Sequence, residues 1–317
     1  MKKAKKDLFD IIEGFYLSQI LVFLQEAGYF SGNKKITVPQ KHLEQLLLVL
    51  AENTNIIKKQ RNGTFKLSGD YAHYPLLGFH IDKLLKAYGH IAPGKNKFRL
   101  QTDERQFAGA YKKVYPFQNW QFLLDMIKDW PVNHLLDLGC GMGKLAVEFC
   151  KQDKNHTAAG IDAGKEMCSA ARAFIQKERL AAKAKIYCAK AEAFYRVLPV
   201  AVMERTDIIV ASNLLNEFFS GDGAAVAALL KQLKKHFPGR PLLVVDYYGI
   251  LGTPRHADAG LRHNYVHDLI QLFSGQGVPP ASSKHWEKIY HSAGCTLEAV
   301  TEGRSQGVNW FVHLVWL

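Results

Sequence analysis

Three closely spaced glycines after a short apolar run constrain the fold of this chain more than any other feature of its sequence. Residues 135–143 read LLDLGCGMG. An apolar run followed by such a turn predicts a buried strand, then a loop in which glycine tolerates positive φ, and then a helix. The free N–H groups at the start of that helix and the bare glycine backbone can approach a ligand closely. The stretch therefore predicts the ligand-binding turn of an α/β domain.

From residue 132 onward, short apolar runs alternate with helical segments. Such alternation predicts parallel strands joined by right-handed helical crossovers. The last two runs are joined by a segment that contains Gly303 and Gly307, which predicts a terminal antiparallel hairpin. We predict strands at 134–138, 157–161, 185–188, 207–211, 242–246, 296–300 and 310–316. The predicted fold class is α/β, with a Rossmann-like sheet of seven mostly parallel strands.

The spacing of the glycines distinguishes this turn from the dinucleotide-binding fingerprint. Gly139, Gly141 and Gly143 fall as GxGxG rather than GxGxxG, and an acid, Asp137, lies two residues before the first of them. This arrangement resembles motif I of the class I S-adenosylmethionine-dependent methyltransferases. The resemblance implies S-adenosyl-L-methionine rather than NAD as the cofactor. In that case Asp137 would face its ammonium group, and backbone N–H groups would bind its carboxylate.

Asp162 closes the next predicted strand, 19 residues after Gly143. An acid at this place binds the ribose hydroxyls in nucleotide-binding folds. NAD-binding proteins also have an acid here, so Asp162 alone does not separate the two cofactors. The resemblance implies further cofactor contacts at Tyr115, Gly139, Cys140, Gly141, Gly143, Ala163, Ala191, Glu192, Asn213 and Leu214.

The adenine contact departs from the family pattern. Lys190 stands where methyltransferases of this kind often have an acid that accepts a hydrogen bond from the adenine amino group. A lysine ammonium group cannot accept a hydrogen bond. Glu192 or a backbone carbonyl would then make the contact, or Glu192 would have only a surface role.

Polar residues follow the fourth and fifth predicted strands, where parallel strands direct side chains into the ligand crevice. Our catalytic candidates are Asn216, Glu217, Tyr247 and His263. Several O-methyltransferases have a histidine near the place of Asn216 as a general base. Because an amide cannot take up a proton at neutral pH, Asn216 would orient the acceptor instead. Alternatively, Asn216 caps the following turn.

Tyr247 and His263 each allow a functional and a structural interpretation. Tyr247 would face the sulfonium cation through its ring, or it would pack in the core. His263 belongs to a polar insertion and would bind an acidic acceptor, act as a base or lie on the surface. His263 and His267 have the i, i+4 spacing of metal ligands, but the sequence offers no third ligand nearby. We therefore predict no metal site.

The N-terminal part resembles the winged-helix domain through which small-molecule O-methyltransferases form dimers. Its signals are a helix over 8–30, a second helix over 40–52 and a hairpin over 56–68 with an Asn-Gly turn. The second helix is too apolar for a DNA-reading helix, which favours a homodimer over nucleic-acid binding. The predicted domains are a dimerisation domain over 1–90, a connector and active-site cover over 91–130, and a cofactor-binding catalytic domain over 131–317.

Composition fits a cytoplasmic enzyme. The 317 residues carry a net charge of +12, but the Lys and Arg residues are scattered, as on solvated helix faces. The five cysteines form no CxxC pair, which argues against a disulfide framework and a structural zinc site and favours a reducing compartment. Neither a signal peptide nor a membrane-spanning run is evident in the sequence.

The leading functional hypothesis is methyl transfer from S-adenosylmethionine to a small molecule, a secondary metabolite in particular. One alternative keeps the cofactor but changes the chemistry, giving intramolecular cyclisation with release of methylthioadenosine. Another alternative is a nucleic-acid methyltransferase or a DNA-binding regulator. The basic net charge favours this last class, whereas the apolar second helix and the absence of an NPPY-type tetrad disfavour it.

Overall fold

The computed structural model describes residues 8–26, 41–68, 92–93, 98–99, 120–219, 222–253, 261, 264–265, 268, 271–272, 277–305 and 308–317. Its contacts divide the chain into two units. Unit 1 combines Met1–Gln101 with Ile250–Val278, and unit 2 combines Thr102–Gly249 with Pro279–Leu317. The segment Ile250–Val278, which the sequence analysis counts with the catalytic domain, thus groups with the N-terminal part. The functions assigned to the predicted domains stay predictions.

Unit 1 contains the two helices and the hairpin that the sequence predicts. Its elements are α1 (Leu8–Glu26), α2 (Lys41–Asn53), β1 (Ile57–Lys59), β2 (Phe65–Leu67) and the two-residue strands β3 (Ala92–Pro93) and β4 (Phe98–Arg99). The hydrophobic run of α2 is buried as predicted, with Leu46, Leu47 and Leu50 fully inaccessible to solvent. They pack in one core with residues of α1, β1 and β2. Whether this unit acts as a winged helix stays a prediction.

One hydrogen bond joins the segment after residue 249 to the N-terminal part of unit 1, and two others order the segment itself. The Asn53 side-chain amide donates a hydrogen bond to the Tyr265 hydroxyl at 2.6 Å. One carboxylate oxygen of Asp268 accepts the backbone N–H groups of Ile250 at 2.7 Å and of Leu251 at 2.8 Å. Asp268 thereby satisfies two donors in a buried place, where an unpaired N–H group is costly.

Unit 2 is built on one sheet. Its helices are α3 (Gln121–Ile127), α4 (Lys144–Gln152), α5 (Lys165–Lys177), α6 (Phe194–Val197), α7 (Val200–Arg205), α8 (Ala224–His236) and α9 (Ser283–Ser292). Its strands are β5 (His134–Leu138), β6 (Thr157–Asp162), β7 (Ala184–Cys188), β8 (Ile208–Ser212), β9 (Pro241–Tyr247), β10 (Thr296–Ser305) and β11 (Val308–Trp316). The strand order is β10-β11-β9-β8-β5-β6-β7. The sheet is parallel except for β11, which pairs antiparallel with β9 and β10, so the predicted fold class is confirmed.

The topology places a ligand crevice at one defined point. Strand β5 pairs with β6 on one side and with β8 on the other, so the chain changes direction across the sheet beside β5. Open α/β sheets bind ligands outside the carboxyl ends of the strands at such a switch point. Apolar cores cover both faces of the sheet, one including Phe194 and Trp286 and the other including Phe149 and Ile175. Rigid strands therefore carry the residues at this edge.

A buried polar chain fixes the end of β9 to the terminal hairpin. The Tyr248 hydroxyl donates to Glu302 Oε1 at 2.6 Å and lies 3.0 Å from His313 Nε2. His313 Nε2 must therefore carry the proton, and Nδ1 accepts from the Tyr290 hydroxyl at 2.9 Å. Burial lowers the pKa of His313 to about 3, so the imidazole stays neutral.

Candidate cofactor and active site

The glycine turn after β5 has the backbone that the sequence predicts. Gly139, Gly141 and Gly143 have φ values of +72°, +51° and +73°. Side chains other than glycine adopt this region only with strain. A Cβ atom at Gly139 would lie 3.0 Å from Leu214 Cδ1, so the turn also needs glycine for close packing. Helix α4 begins directly after the turn, at Lys144.

Asp162 joins two loops at this edge of the sheet. One carboxylate oxygen accepts the backbone N–H of Gly141 at 2.9 Å, and the other accepts that of Gly164 at 2.8 Å. Asp162 therefore orders both the glycine turn and the loop after β6.

Asp137 is a buried acid inside β5. Its side chain is only 3% exposed, and its neighbours across the sheet are Gly160 and Val210. Burial raises the pKa of Asp137 to about 8, and the nearby negative charge of Asp162 adds to the rise. A cationic group beside Asp137 would oppose both effects and favour the carboxylate.

Strand β8 leads into a strained residue. Asn213 has a φ of +48°, a left-handed conformation that is uncommon outside glycine, although asparagine tolerates it best. Its backbone N–H donates to the Val245 carbonyl at 2.8 Å, while its side chain is exposed. Strain of this kind clusters at ligand sites. Leu214 follows and is buried against Gly139.

The backbone of Asn216 is hydrogen-bonded to the buried carboxylate of Asp246. Asp246 accepts the Asn216 N–H at 3.0 Å and the Tyr247 N–H at 2.9 Å. The Asn216 side chain is only 2% exposed, and among the described residues its Oδ1 atom has no hydrogen-bond partner. It therefore does not cap the turn through that oxygen, and it offers an unused acceptor inside the protein.

Several carboxylates act on one another around Glu217. Desolvation by the surrounding protein raises the pKa of Glu217 to about 7 although the side chain reaches solvent, and the charges of Asp162 and Glu192 contribute. Burial likewise raises the pKa of Asp246 to about 7 despite its two N–H donors, and Glu217 adds to this rise. Such interactions weaken with distance. The topology brings these acids to the carboxyl ends of neighbouring strands, since Asp162 ends β6, Glu192 follows β7, Glu217 follows β8 and Asp246 lies near the end of β9.

The other predicted site residues have these positions. Cys140, Leu214 and Ala191 are buried, Ala163 and Glu192 are exposed, and Tyr247 is 2% exposed at the end of β9. Ala191 and Glu192 form a short 3₁₀ turn after β7. Tyr115 and His263 lie outside the described residues.

From the sequence, Asp246 is expected to face the crevice at the end of the fifth strand, but it is given no specific role. The sequence does contain a signal for such a role, because Asp246 is the charged residue near the carboxyl end of an otherwise apolar strand, Leu242 to Tyr247. Within the described ranges, no cluster of three or more His, Cys, Asp or Glu residues could hold a metal ion. In the same part of the chain, no helix has both the length and the apolar character that crossing a bilayer requires.

Comparison with known proteins gives the following matches. A family described as a methyltransferase domain matches residues 135–236. No curated protein matches the chain significantly. Among solved structures, an O-methyltransferase family 2 protein from Planctomyces limnophilus, in complex with apigenin, is 14% identical over 96% of this chain and 94% of its own, with a TM-score of 0.58.

Two further structures cover nearly the whole chain. An O-methyltransferase family protein from Burkholderia thailandensis is 15% identical over 98% of both chains, with a TM-score of 0.50. PigF with SAH (S-adenosylhomocysteine) is 13% identical over 98% of this chain and 99% of its own, with a TM-score of 0.51. At such identities these structures establish a shared fold. The matched part contains the glycine turn, Asp162 and Asn216, so residues 135–236 are a methyltransferase domain, and its cofactor is S-adenosyl-L-methionine.

Proposed function

We propose that this enzyme methylates a hydroxyl oxygen of a small-molecule acceptor, a secondary metabolite in particular. The observation that carries the proposal is the group of carboxylates around Glu217, in which the charges of Asp162 and Glu192 act on Glu217 and that of Glu217 acts on Asp246. A sulfonium cation beside these acids would favour their ionised forms, and Glu217 would then accept a proton from an acceptor hydroxyl. The Planctomyces relative, solved with apigenin, supports an acceptor of that kind.

The residues at the glycine turn fit the cofactor. Asp137 would face the ammonium group, because a cation there opposes the effects that raise its pKa. The backbone of 139–143 would hold the carboxylate, and Asp162, which ends β6 at the carboxyl edge of the sheet, would accept hydrogen bonds from the ribose hydroxyls. Ala163, Ala191 and Glu192 would lie along the adenine, with Asn213 and Leu214 near the sulfur. When bound, the cofactor supplies an electrophilic methyl group.

Glu217 is our candidate for the general base. A base works best when its pKa lies near the working pH, and the pKa of Glu217 is raised to about 7. The family histidine is replaced by Asn216, so the neighbouring carboxylate would take over proton removal. Asn216 would accept a hydrogen bond from the acceptor through its unused Oδ1 atom. Together these two residues would align the hydroxyl oxygen with the methyl group.

Asp246 is our candidate positioning residue. It holds the backbone of Asn216 at 3.0 Å and thereby fixes the turn that carries both Asn216 and Glu217. Because both of its carboxylate oxygens accept backbone N–H groups, those of Asn216 and Tyr247, its role would be exerted through this turn and not by touching the acceptor.

A second candidate function uses the same cofactor without an acceptor. In it, the cofactor's own amine, which would lie beside Asp137, attacks the cofactor's side chain. Intramolecular ring closure would then release methylthioadenosine. The replacement of the family histidine by Asn216 is compatible with this chemistry.

One product analysis separates these functions. The purified enzyme is incubated with S-adenosylmethionine carrying a labelled methyl group and a panel of phenolic acceptors that includes apigenin, and the products are identified by mass spectrometry. We expect S-adenosylhomocysteine and a labelled acceptor in equal amounts. Methylthioadenosine formed without any acceptor would support cyclisation instead. Calorimetric titration with S-adenosylhomocysteine checks the cofactor site independently.

We also propose that the enzyme is a homodimer formed through its N-terminal part. Leu8 and Ile11 near the start of α1 are 66% and 61% exposed, which is unusual for two large apolar side chains one turn apart. Light scattering after size-exclusion chromatography would give about twice the 35.7 kDa chain mass. A mass of one chain would contradict the proposal.

A further inference from the structure

Three of the five cysteines surround Asp162. Cys140 belongs to the glycine turn, and its Sγ atom lies 2.8 Å from the place a Cβ atom would take at Gly160. Cys168 in α5 donates a hydrogen bond from Sγ to the Asp162 carbonyl oxygen at 3.3 Å. Cys188 ends β7 and is the register partner of Asp162. These cysteines thus lie next to the residue to which we assign the ribose.

Two of these cysteines are held at the same residue. Strand pairing places Cys188 beside Asp162, and a hydrogen bond holds the Cys168 thiol to the Asp162 carbonyl oxygen, so the two cysteines lie close together. Cys188 is exposed, whereas Cys168 is fully buried. An accessible thiol next to a buried one is the arrangement in which the first reacts with an oxidant and the second resolves the product.

We propose that Cys168 and Cys188 form a reversible disulfide that weakens cofactor binding. The oxidant is a small disulfide such as glutathione disulfide. The Cys188 thiolate attacks one of its sulfur atoms and releases one glutathione, leaving a mixed disulfide on Cys188. Cys168 then loses its proton, attacks the Cys188 sulfur and releases the second glutathione. Two protein thiols become one disulfide, and glutathione disulfide takes up the two electrons.

The disulfide acts on the site through Asp162. Its formation removes the S–H donor that Cys168 gives to the Asp162 carbonyl and draws the end of β7 towards α5. Asp162 orders the glycine turn through Gly141 and the following loop through Gly164, so its displacement disturbs both. Burial raises the pKa of Cys168 to about 12, which makes ring closure the slow step. This proposal rests on the proposed cofactor site.

The test uses the full-length enzyme. The reduced protein is incubated for several hours with glutathione disulfide, and the linkage is mapped by peptide mass spectrometry without reduction. Affinity for S-adenosylhomocysteine is measured by calorimetry before oxidation, after oxidation and after dithiothreitol. We expect a Cys168–Cys188 linkage, an affinity about tenfold lower, as for one lost hydrogen bond to the site, and full recovery on reduction.

Matched variants make the result specific. Cys188→Ser should bind S-adenosylhomocysteine like the reduced parent and should not respond to the oxidant. Cys150→Ser, a change at a buried cysteine of α4, should respond as the parent does. A map without the Cys168–Cys188 linkage, or a linkage that leaves the affinity unchanged, overturns the proposal. If the reduced protein binds no S-adenosylhomocysteine, the cofactor site is wrong, and the peptide map still decides whether the disulfide forms.

Discussion

The carboxylate of Asp246 accepts the backbone N–H of Asn216 at 3.0 Å, across 30 residues of sequence. This bond connects the ends of β8 and β9 and sets the turn that carries Glu217. An acid that is 1% exposed is costly to bury, so its presence requires a compensating role. In our proposal, that role is to hold the acceptor-facing residues in place.

The first prediction concerns the base. Glu217→Gln keeps the size of the side chain and removes its ability to take up a proton. We expect kcat/KM to fall by about 10²- to 10⁴-fold, with S-adenosylhomocysteine affinity within about twofold of the parent. The limb of the parent pH–rate profile near pH 7, set by the pKa of Glu217 of about 7, should disappear.

Glu204→Gln is the control for this change, since Glu204 is an exposed acid of α7. It should leave both the rate and the pH profile unchanged. A Glu217→Gln enzyme that retains the parent rate and profile would exclude Glu217 as the base.

A second prediction concerns the ribose contact. Asp162→Ala removes the acceptors of the Gly141 and Gly164 N–H groups together with the proposed ribose partner. Hydrogen bonds to a charged group contribute about 1.5–3 kcal/mol each, so affinity for S-adenosylhomocysteine should fall by at least about 100-fold. Circular dichroism should show a retained fold. Asp162→Asn, which can still accept one N–H, should lie between Asp162→Ala and the parent. Calorimetry that gives the parent affinity for Asp162→Ala would refute the ribose assignment.

A third prediction separates stability from activity at Asn216. Its Oδ1 atom is buried and, within the described residues, has no hydrogen-bond partner, and such an atom costs about 1–3 kcal/mol. Asn216→Leu removes that cost at similar volume, so the free energy of unfolding should stay the same or rise. The KM for the acceptor should rise about tenfold, as expected for one lost hydrogen bond. Denaturant titration and steady-state kinetics measure the two effects. A loss of stability with unchanged KM would assign Asn216 to the core alone.

The sequence indicates the sheet because its signals there are local. Each apolar run predicts a buried strand, and the three glycines, which have positive φ in the structure, predict the turn. Strand β10 was predicted over 296–300 but runs to Ser305, because the polar residues of its second half pair with β11. Hydrogen bonding between the backbones of two strands leaves no apolar pattern in the sequence of either strand, so this half of β10 is not predicted.

Contacts between distant parts of the chain were beyond sequence reasoning. The Asn53–Tyr265 hydrogen bond spans 212 residues, and the Asn216–Asp246 bond spans 30. Neither hydrogen bond is accompanied by a sequence periodicity or motif from which it could be predicted. This is why the sequence placed Ile250–Val278 with the catalytic part and gave Asp246 no specific role.

A fourth prediction follows from the two buried acids. In the folded protein, the pKa of Asp137 is raised to about 8 and that of Asp246 to about 7. In an unfolded chain, an aspartate side chain has a pKa of about 4. Between about pH 4 and pH 8 the folded protein therefore binds more protons than the unfolded one. Their contribution to stability is fully present below about pH 4 and is lost as the pH rises through the folded values. We expect the unfolding temperature of the ligand-free enzyme to fall across this range.

Ligand should reduce this dependence, because an ammonium group beside Asp137 lowers its pKa. Scanning calorimetry from about pH 5 to about pH 8.5, with and without S-adenosylhomocysteine, measures both effects. Asp137→Asn should show a shallower fall than the parent when both are free of ligand. A parent profile that rises with pH would contradict the protonation states inferred for these acids.

The last prediction tests the packing of the glycine turn. Gly139→Ala places a methyl group at a φ of +72° and 3.0 Å from Leu214 Cδ1, whereas Gly239→Ala has nearly the same φ, +70°, with no atom within 4 Å. The control should therefore lose about 1–2 kcal/mol of unfolding free energy from backbone strain alone. Gly139→Ala should lose more, because Leu214 must move, and it should also bind S-adenosylhomocysteine more weakly by calorimetry. Equal losses in the two variants, with parental affinity in both, would show that contact between the turn and Leu214 does not shape the cofactor site.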